Sequence, residues 1–298
     1  MPFRTLEITK PSEIHIEHKQ LKVIQEEDVF FIPLDDLYAI ICLGPNIRLS
    51  SMDLCYFAQY KISFITLDKK YLPASISLPF ASNVRQSMIM SKQIKMDENR
   101  KNKLWSMIVR QKILNQARVL ALLGKDGFEV ISNAVNDIEN GDSTNREGYA
   151  AKIYFSKLYP GLNRRYEHPM NSVLNYGYSI IRGHIARQAA ASGLFLSMGL
   201  HHHNEYNTFN LVDDLIEPFR PMMDLLALEV VGQTSHLSKE QRYKIGQIIF
   251  APCKFEKKKV MLIQAIEYLV EDLRKYILEE SDSITCPEVI LFKKENLQ

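Results

Sequence analysis

Imidazole and carboxylate side chains are concentrated in one short segment, residues 199–221, with the sequence GLHHHNEYNTFNLVDDLIEPFRP. The segment holds three adjacent histidines together with Asp213, Asp214 and Glu217. Imidazole and carboxylate groups together are the ligands of divalent metals that act on phosphate or carbonyl substrates. The segment therefore predicts part of a metal site, and a further ligand has to come from elsewhere in the chain.

The three histidines, His201, His202 and His203, cannot all serve one site. Neighbouring side chains on an extended strand point to opposite sides, so at most one or two of them can be ligands. The simpler alternative is a polar loop in which no histidine binds a metal.

The acids of this segment also have a simpler alternative, a solvated helix face on which Glu217 pairs with Arg220. Pro221 argues against that alternative. A proline here removes the backbone donor normally directed to the carbonyl of Glu217 and tends to kink the helix. A break beside a carboxylate is unusual for a plain surface helix.

Glu147 is the candidate for the further ligand. It precedes Ala150, Tyr154 and Leu158 at helical spacing, so it lies at the head of an apolar stripe. An ionised carboxylate there has to be paired, hydrogen-bonded or metal-bound. The alternative is an exposed first turn, where a glutamate favours the helix dipole. One imidazole and two carboxylates from three places suit magnesium or manganese with open water positions.

The elements that must position these groups fall into two regions. The first, residues 1–80, is predicted to be a β-rich domain with strands near residues 13–17, 21–24, 29–33, 37–43 and 62–67. Ser50 or Ser51 is predicted to cap a short helix, and residues 68–70 to form a turn.

The second region, residues 81–298, has helical periodicity and is predicted to be a larger all-α catalytic domain. Its helices are expected at residues 105–123, 128–138, 142–158, 172–191, 211–231, 239–250 and 256–278, with Asp142 or Ser143 as the cap of the third. The predicted fold class is therefore α+β, with the small β domain first.

Composition narrows the class of protein. The net charge of +2 excludes a wholesale polycation, and no apolar run reaches the roughly 18 residues that a membrane-spanning helix needs. Cysteines occur singly, without the paired spacing of a disulfide frame or a zinc knuckle. We therefore expect reduced thiols and a cytoplasmic protein.

Several motifs, in order along the chain, carry a family resemblance. They are RQKILNQARVL at residues 110–120, NREGYAAKIYF at 145–155, NSVLNYGYSIIRG at 171–183 and the histidine-rich segment at 199–221. The chain resembles the integrase subunit of CRISPR adaptation, the metal-dependent DNA-joining enzyme that inserts spacers. Its DLIEPFRP ending and overall length are similar to the version found beside the large single-protein RNA-guided nuclease.

The resemblance implies the ligands. In this family they are a glutamate before a pair of small residues, a histidine three residues after a glycine, and an acid in the DLxE segment. These positions match Glu147, His202 and Glu217, and an aspartate often stands in the family where this chain has Glu217. Asp214, His201 and His203 are weaker candidates for groups that support the ligands.

The resemblance also implies the reaction and the partners. The 3′-hydroxyl of an incoming DNA strand attacks a phosphodiester at a repeat boundary, and water in place of the hydroxyl gives endonuclease activity. The implied partners are double-stranded DNA, a second copy through the β domain, and a small ferredoxin-like subunit in a heterohexamer. The RNA-guided effector nuclease is a further candidate. Phosphate contacts are expected from Arg146, Arg164, Arg165, Arg182 and Arg187, with Lys257, Lys258 and Lys259 behind them.

Two competing functions stay open at this point. One is a DNA-binding scaffold without chemistry, in which the histidines and acids are surface residues. The other is a zinc-dependent hydrolase of small molecules that uses His201 and His203.

Overall fold

A computed structural model of the 298-residue chain describes residues 4–44, 46–67, 73–79 and 83–290. Two compact units can be distinguished. The first is Met1–Ser87 with Arg187–Leu194, and the second is Met88–Ala186 with Phe195–Gln298. The predicted domains 1–80 and 81–298, with their roles in dimerisation and catalysis, stay predictions.

The first unit contains two four-stranded sheets. Its strands are β1 (Arg4–Ile8), β2 (Ser12–Glu17), β3 (Gln20–Gln25), β4 (Asp28–Pro33), β5 (Leu37–Cys42), β6 (Ile47–Arg48), β7 (Ser63–Leu67) and β8 (Pro73–Ser77). One sheet has the order β1-β5-β7-β8, with β1, β5 and β7 parallel and β8 antiparallel. The other has the order β4-β3-β2-β6, in which β2, β3 and β4 are antiparallel neighbours.

Several of these strands form where the apolar pattern predicts them. The alternation at residues 13–17 becomes β2, and the continuous apolar run becomes β5, which is buried along its whole length between β1 and β7. Both predictions are confirmed. Helix α1 (Ser51–Gln59) starts at the N-cap Ser50, whose hydroxyl accepts the Asp53 amide in a capping box. The turn expected at 68–70 lies outside the described residues.

The rest of the described chain is mainly helical. The helices are α2 (Gln86–Lys95), α3 (Glu98–Leu122), α4 (Phe128–Asn133), α5 (Arg146–Leu158), α6 (Pro169–Ala191), α7 (Asn210–Leu215), α8 (Arg220–Val230), α9 (Lys239–Gly246) and α10 (Leu262–Ile277). The long α3 is central to the second unit, since α4, α5, α7 and α8 all pack against it. Among the described residues, no helix has the length and apolarity needed to cross a membrane.

The second unit is not all-α, which corrects the sequence prediction. Strands β9 (Pro252–Phe255), β10 (Lys258–Met261) and β11 (Glu288–Val289) form a sheet of order β10-β9-β11. The helix expected from residue 256 begins only at Leu262, because Glu256 adopts a positive φ of 54° in the turn between β9 and β10. The partner strand β11 comes from beyond α10, so the local pattern does not reveal the sheet.

The predicted helix 211–231 is broken. Helix α7 ends at Leu215, a 3-10 turn covers Glu217–Phe219, and α8 starts at Arg220. The break lies where Pro218 and Pro221 remove backbone donors, as their sequence positions predict.

Candidate active site

Glu147 and Glu217 come together around the ammonium group of Lys112. The Lys112 Nζ atom lies 2.5 Å from Oε1 of Glu147 and also contacts Oε2 of Glu217. Lys112 extends from the middle of α3, and its side chain is only 9% exposed. Two acids that lie 70 residues apart in sequence, on α5 and in the 3-10 turn, therefore share one cation.

Glu147 is held by the way α5 begins. The N-cap is Asn145, with a positive φ of 52° and a side chain that accepts the Gly148 amide, and this corrects the expected cap at Asp142 or Ser143. The buried Asp142 carboxylate accepts the backbone amides of Arg146 and Glu147, at 2.8 and 3.0 Å. Glu147 therefore combines both sequence interpretations: it occupies the first turn, yet its carboxylate is paired and 26% exposed.

Glu217 lies at the break between α7 and α8, almost fully buried. Arg220 donates from Nε to its Oε1 at 2.9 Å, while Lys112 contacts the other oxygen. Burial alone would raise the pKa of this carboxyl, but the charges of Lys112 and Arg220 outweigh it and hold the pKa at about 2. The Glu217 carboxylate is therefore ionised at neutral pH.

Lys112 keeps its charge for the complementary reason. Burial lowers its pKa, and the negative charges of Glu217 and Glu147 more than reverse that effect, so the pKa is raised overall. The four groups Lys112, Arg220, Glu147 and Glu217 thus balance two positive charges against two negative ones.

The break itself is secured by Asn115, one helical turn along α3 from Lys112. Its amide donates to the carbonyl of Pro218 at 2.8 Å and to that of Pro287 at 2.9 Å. Its side-chain oxygen accepts the amide of Val289, in β11, at 3.1 Å. One buried side chain therefore ties the acid-bearing turn to the end of the described chain.

His202 is oriented by Asp214. Its Nδ1 atom lies 2.6 Å from Oδ1 of Asp214, and the hydrogen bond to that carboxylate raises the pKa of the imidazole. The Asp214 carboxylate is fully buried and also accepts the backbone amides of Leu200, His201 and His202. With Nδ1–H donated to Asp214, neutral His202 has its lone pair on Nε2, which is the form that binds a metal.

The neighbouring histidines have different surroundings. The ring of His201 stacks on Trp105, with centroids 4.5 Å apart and planes within 3°. His203 is exposed. The loop therefore gives the three adjacent histidines three different environments, and the contact with Asp214 orients His202.

A further buried acid lies on α8. Asp224 of α8 accepts a hydrogen bond from the Tyr178 hydroxyl, and its backbone carbonyl accepts one from Tyr159 at 2.5 Å. Burial raises the pKa of Asp224 to about 6. The guanidinium of Arg220 lies 4.7 Å from the Tyr178 ring centroid, so Arg220 contacts both the Glu217 carboxylate and this tyrosine.

The arginines expected to contact phosphate differ in availability. The expectation that Arg187 contacts phosphate is corrected by its burial, since the residue is only 4% exposed. Its guanidinium lies over the Tyr38 ring, and Nε donates to the carbonyl of Lys61. Arg182 forms an ion pair with Asp213, at 2.6 Å.

The other three arginines are at least partly accessible. Arg164 donates to the side chains of Asn171 and Asn175, at 2.6 and 2.8 Å. Arg146 is half-buried and lies over the Tyr149 ring, whereas Arg165 is exposed.

Comparison with known proteins identifies the family. The family described as CRISPR associated protein Cas1 matches residues 6–249, which is most of the chain. The chain belongs to the Cas1 family. The resemblance found in the sequence motifs is therefore confirmed.

Three named relatives or solved structures match nearly the whole of this chain. The CRISPR-associated endonuclease Cas1 of Neisseria meningitidis serogroup C (strain 8013) is 30% identical over 308 aligned positions, which cover 99% of each chain. A casposase bound to integration product has a TM-score of 0.75 at 16% identity, covering 95% of this chain and 92% of the casposase. A chain of a Cas6-RT-Cas1–Cas2 complex has a TM-score of 0.73 at 19% identity, covering 94% of this chain and 35% of its own length. The two structural likenesses show a shared fold.

The metal site expected of this Cas1-family chain is only partly gathered. Within the described ranges, no group of three or more His, Cys, Asp and Glu side chains is close enough to hold a metal ion. The Nζ atom of Lys112, a cation, contacts both Glu147 and Glu217.

Sequence reasoning missed Lys112 and Asn115, although a signal was available. Lys112 follows Trp105 by seven residues and Ile108 by four, so it falls inside the apolar stripe of α3. A lysine in such a stripe has to be paired with an acid.

Proposed function

We propose that this chain is a metal-dependent DNA integrase and endonuclease that inserts new spacers into a CRISPR repeat array. The observation that carries the proposal is the convergence of Glu147 and Glu217 on one cation, in a chain of the Cas1 family. The N. meningitidis relative bears the name endonuclease, and the casposase neighbour is bound to integration product. Both names agree with DNA strand transfer as the chemistry.

The residues present fit a hard divalent cation. Two carboxylates that already share a cation offer oxygen ligands, and Asp214 orients His202 so that one ring nitrogen is available. Glu147, His202 and Glu217 would hold Mg²⁺ or Mn²⁺. When bound, such an ion polarises the phosphate, promotes loss of the hydroxyl proton and stabilises the leaving oxygen.

The reaction needs no covalent intermediate with the protein. A 3′-hydroxyl oxygen loses its proton to solvent and forms a new bond to phosphorus, while the bond to the leaving 3′-oxygen breaks and that oxygen takes up a proton from solvent. Water in place of the 3′-hydroxyl gives hydrolysis at the same site. The contributions of the chain are to keep Glu217 ionised, to direct the His202 ring through its Nδ1 contact with Asp214, and to fix the Glu147 amide at the start of α5.

DNA would be held through its phosphates. Arg165 is exposed and Arg146 is partly so, while Lys258 and Lys259 are exposed on β10. Arg164 and Arg182 are better described as positioning residues, because their guanidinium groups bond to neighbouring side chains. Contacts of this kind fix the register of DNA without reading its sequence.

The proposed assembly contains a second copy of the chain and a small partner subunit. Strand β4 is an edge of its sheet, and Val29, Phe30 and Phe31 on it are about half exposed. An exposed apolar edge strand favours pairing with another chain. The similar Cas6-RT-Cas1–Cas2 complex contains Cas2, and we propose a Cas2-like subunit as the partner here.

A strand-joining assay tests the proposal. It combines the chain, its partner subunit, a prespacer duplex, a plasmid carrying a repeat, and Mn²⁺. We expect integration with the intact protein and none with Glu147→Gln or Glu217→Gln, variants that keep side-chain size while removing the ligand charge. Arg118→Gln, which breaks a surface pair with Glu288, is the matched control.

DNA binding by the same variants separates chemistry from scaffolding. Retained binding with lost joining supports a catalytic role for the two glutamates. Full joining by both variants would contradict the catalytic role of the two glutamates, whereas no joining by the intact protein would favour a scaffold without chemistry.

A further inference from the structure

Lys112 occupies the place between the two acids that the proposed metal would take. Its Nζ atom lies 2.5 Å from Glu147 and contacts Glu217 on the oxygen that Arg220 leaves open. Two carboxylates brought this close, with that of Glu217 buried, would repel each other without a cation between them. The lysine therefore accounts for the approach of the acids in the described structure.

The charge of the group is already balanced. Lys112 and Arg220 supply two positive charges, and Glu147 and Glu217 supply two negative ones. A divalent ion entering beside Lys112 would leave an excess of two positive charges in a poorly solvated place, which is costly. Metal binding is therefore favourable only if the ammonium moves away or an anion arrives.

The lysine side chain is suited to moving away. An ammonium is a compact point charge on a flexible four-carbon stem, whereas a guanidinium holds carboxylates in a fixed planar fork. Arg220 donates from Nε to one oxygen of Glu217 and lies over the Tyr178 ring, so it is fixed by two contacts. Of the two cations, Lys112 is the one a metal can replace.

We propose that Lys112 is a resident cation that holds Glu147 and Glu217 together in the metal-free protein and that a divalent ion displaces on binding. It is a positioning residue that competes with the metal. The inference rests on the proposed function, because it assumes that these two glutamates are metal ligands.

The test measures metal binding without catalysis. Mn²⁺ is titrated by calorimetry into the full-length, metal-free protein in the absence of DNA. Lys112→Met removes the charge and keeps most of the side-chain length. We expect this variant to bind Mn²⁺ about tenfold more tightly, or better, because the competing cation and its two ion pairs are gone. Unchanged or weaker affinity would overturn the proposal.

Two further variants serve as controls. Lys101→Met, on the same helix, breaks the surface pair with Glu98 and should leave the affinity at the wild-type value. Lys112→Arg keeps the charge and should bind Mn²⁺ no more tightly than the wild type. Tighter binding by Lys112→Arg would count against displacement.

Thermal unfolding gives a second readout. In chelator, Lys112→Met should melt at a lower temperature than the wild type, and Mn²⁺ should raise its melting temperature by more than it raises that of the wild type. If Lys112→Met does not fold in chelator, the addition of Mn²⁺ should restore its folding. If Mn²⁺ does not restore folding of Lys112→Met while Lys112→Arg is folded, the proposal is contradicted.

The double variant Glu147→Gln, Glu217→Gln separates the two hypotheses. Unaltered Mn²⁺ binding by that protein would contradict the proposed metal site itself. Lost binding there, combined with unchanged affinity in Lys112→Met, would contradict only the role of Lys112.

Discussion

The Nδ1 atom of His202 lies 2.6 Å from the buried Oδ1 of Asp214, and the same carboxylate accepts the backbone amides of residues 200, 201 and 202. One carboxylate thus fixes both the loop and the ring. An imidazole held in this way has a defined tautomer and direction, which is the usual role of a carboxylate behind a metal-binding histidine.

Asp214→Asn should weaken metal use without abolishing chemistry. The amide cannot accept all the hydrogen bonds that the carboxylate accepts, so the direction of His202 is lost. We expect the Mn²⁺ concentration for half-maximal strand joining to rise by roughly 10–100-fold, with activity recovered at saturation. Asp213→Asn, which breaks the pair with Arg182 instead, is the control. An equal Mn²⁺ requirement in both variants would contradict this role.

Single alanine variants of the three histidines should separate their roles. His202→Ala should lose strand joining while remaining folded. His201→Ala should keep joining but lose roughly 0.5–1.5 kcal/mol of stability, because its stacking on Trp105 is removed. His203→Ala should resemble the wild type. Full joining by His202→Ala would show that another histidine is the ligand.

Asp224 should make stability depend on pH. Burial raises the pKa of this aspartate in the folded state from 3.8 to about 6. Its stabilising contribution is therefore complete below its unfolded pKa and is lost as pH rises through about 6. The shift in pKa corresponds to roughly 3 kcal/mol of the free energy of unfolding.

Urea unfolding of wild type and Asp224→Asn across this pH window measures the contribution. We expect the free energy of unfolding of the wild type, relative to the variant, to fall as pH rises. Tyr178→Phe removes a hydrogen bond that lowers the Asp224 pKa, so it should move the loss to higher pH. Parallel curves for wild type and Asp224→Asn would rule out Asp224 as the cause.

The edge strand β4 should mediate self-association. Replacing Phe30 and Phe31 with aspartate puts two charges on an exposed apolar edge and should convert a dimer into a monomer. Molar mass by light scattering measures the change. Val130→Asp, at a similarly exposed apolar position on α4, should leave the mass unchanged. A dimer that survives the double variant would place the interface elsewhere.

Sequence reasoning succeeded where the pattern is local. Strands such as β2 follow from strict alternation, and the break near Glu217 follows from its two prolines. Sequence reasoning failed where a strand or side chain depends on a partner that is distant in sequence. The β10-β9-β11 sheet depends on a strand beyond α10, and the burial of Arg187 depends on its contact with Tyr38.

The candidate site shows the same limit. The search for metal ligands selected Glu147 and Glu217, but it assigned no role to the cation between them, Lys112, which lies in the motif at residues 110–120. A single charged residue in an apolar stripe is a weak signal until its partners are known, and those partners lie 35 and 105 residues away. The roles assigned to Glu147, His202 and Glu217 stay predictions.

Asn115 gives the far end of the chain an influence on the acid-bearing turn. Its amide group serves the carbonyl of Pro218 and that of Pro287 together, across 103 and 172 residues. A premature stop codon ahead of residue 287 would remove one of these acceptors and the Val289 donor. Such a truncation would spare every proposed ligand and still loosen the turn that carries Glu217. On the proposed function, stop codons just ahead of residue 287 should therefore impair spacer insertion.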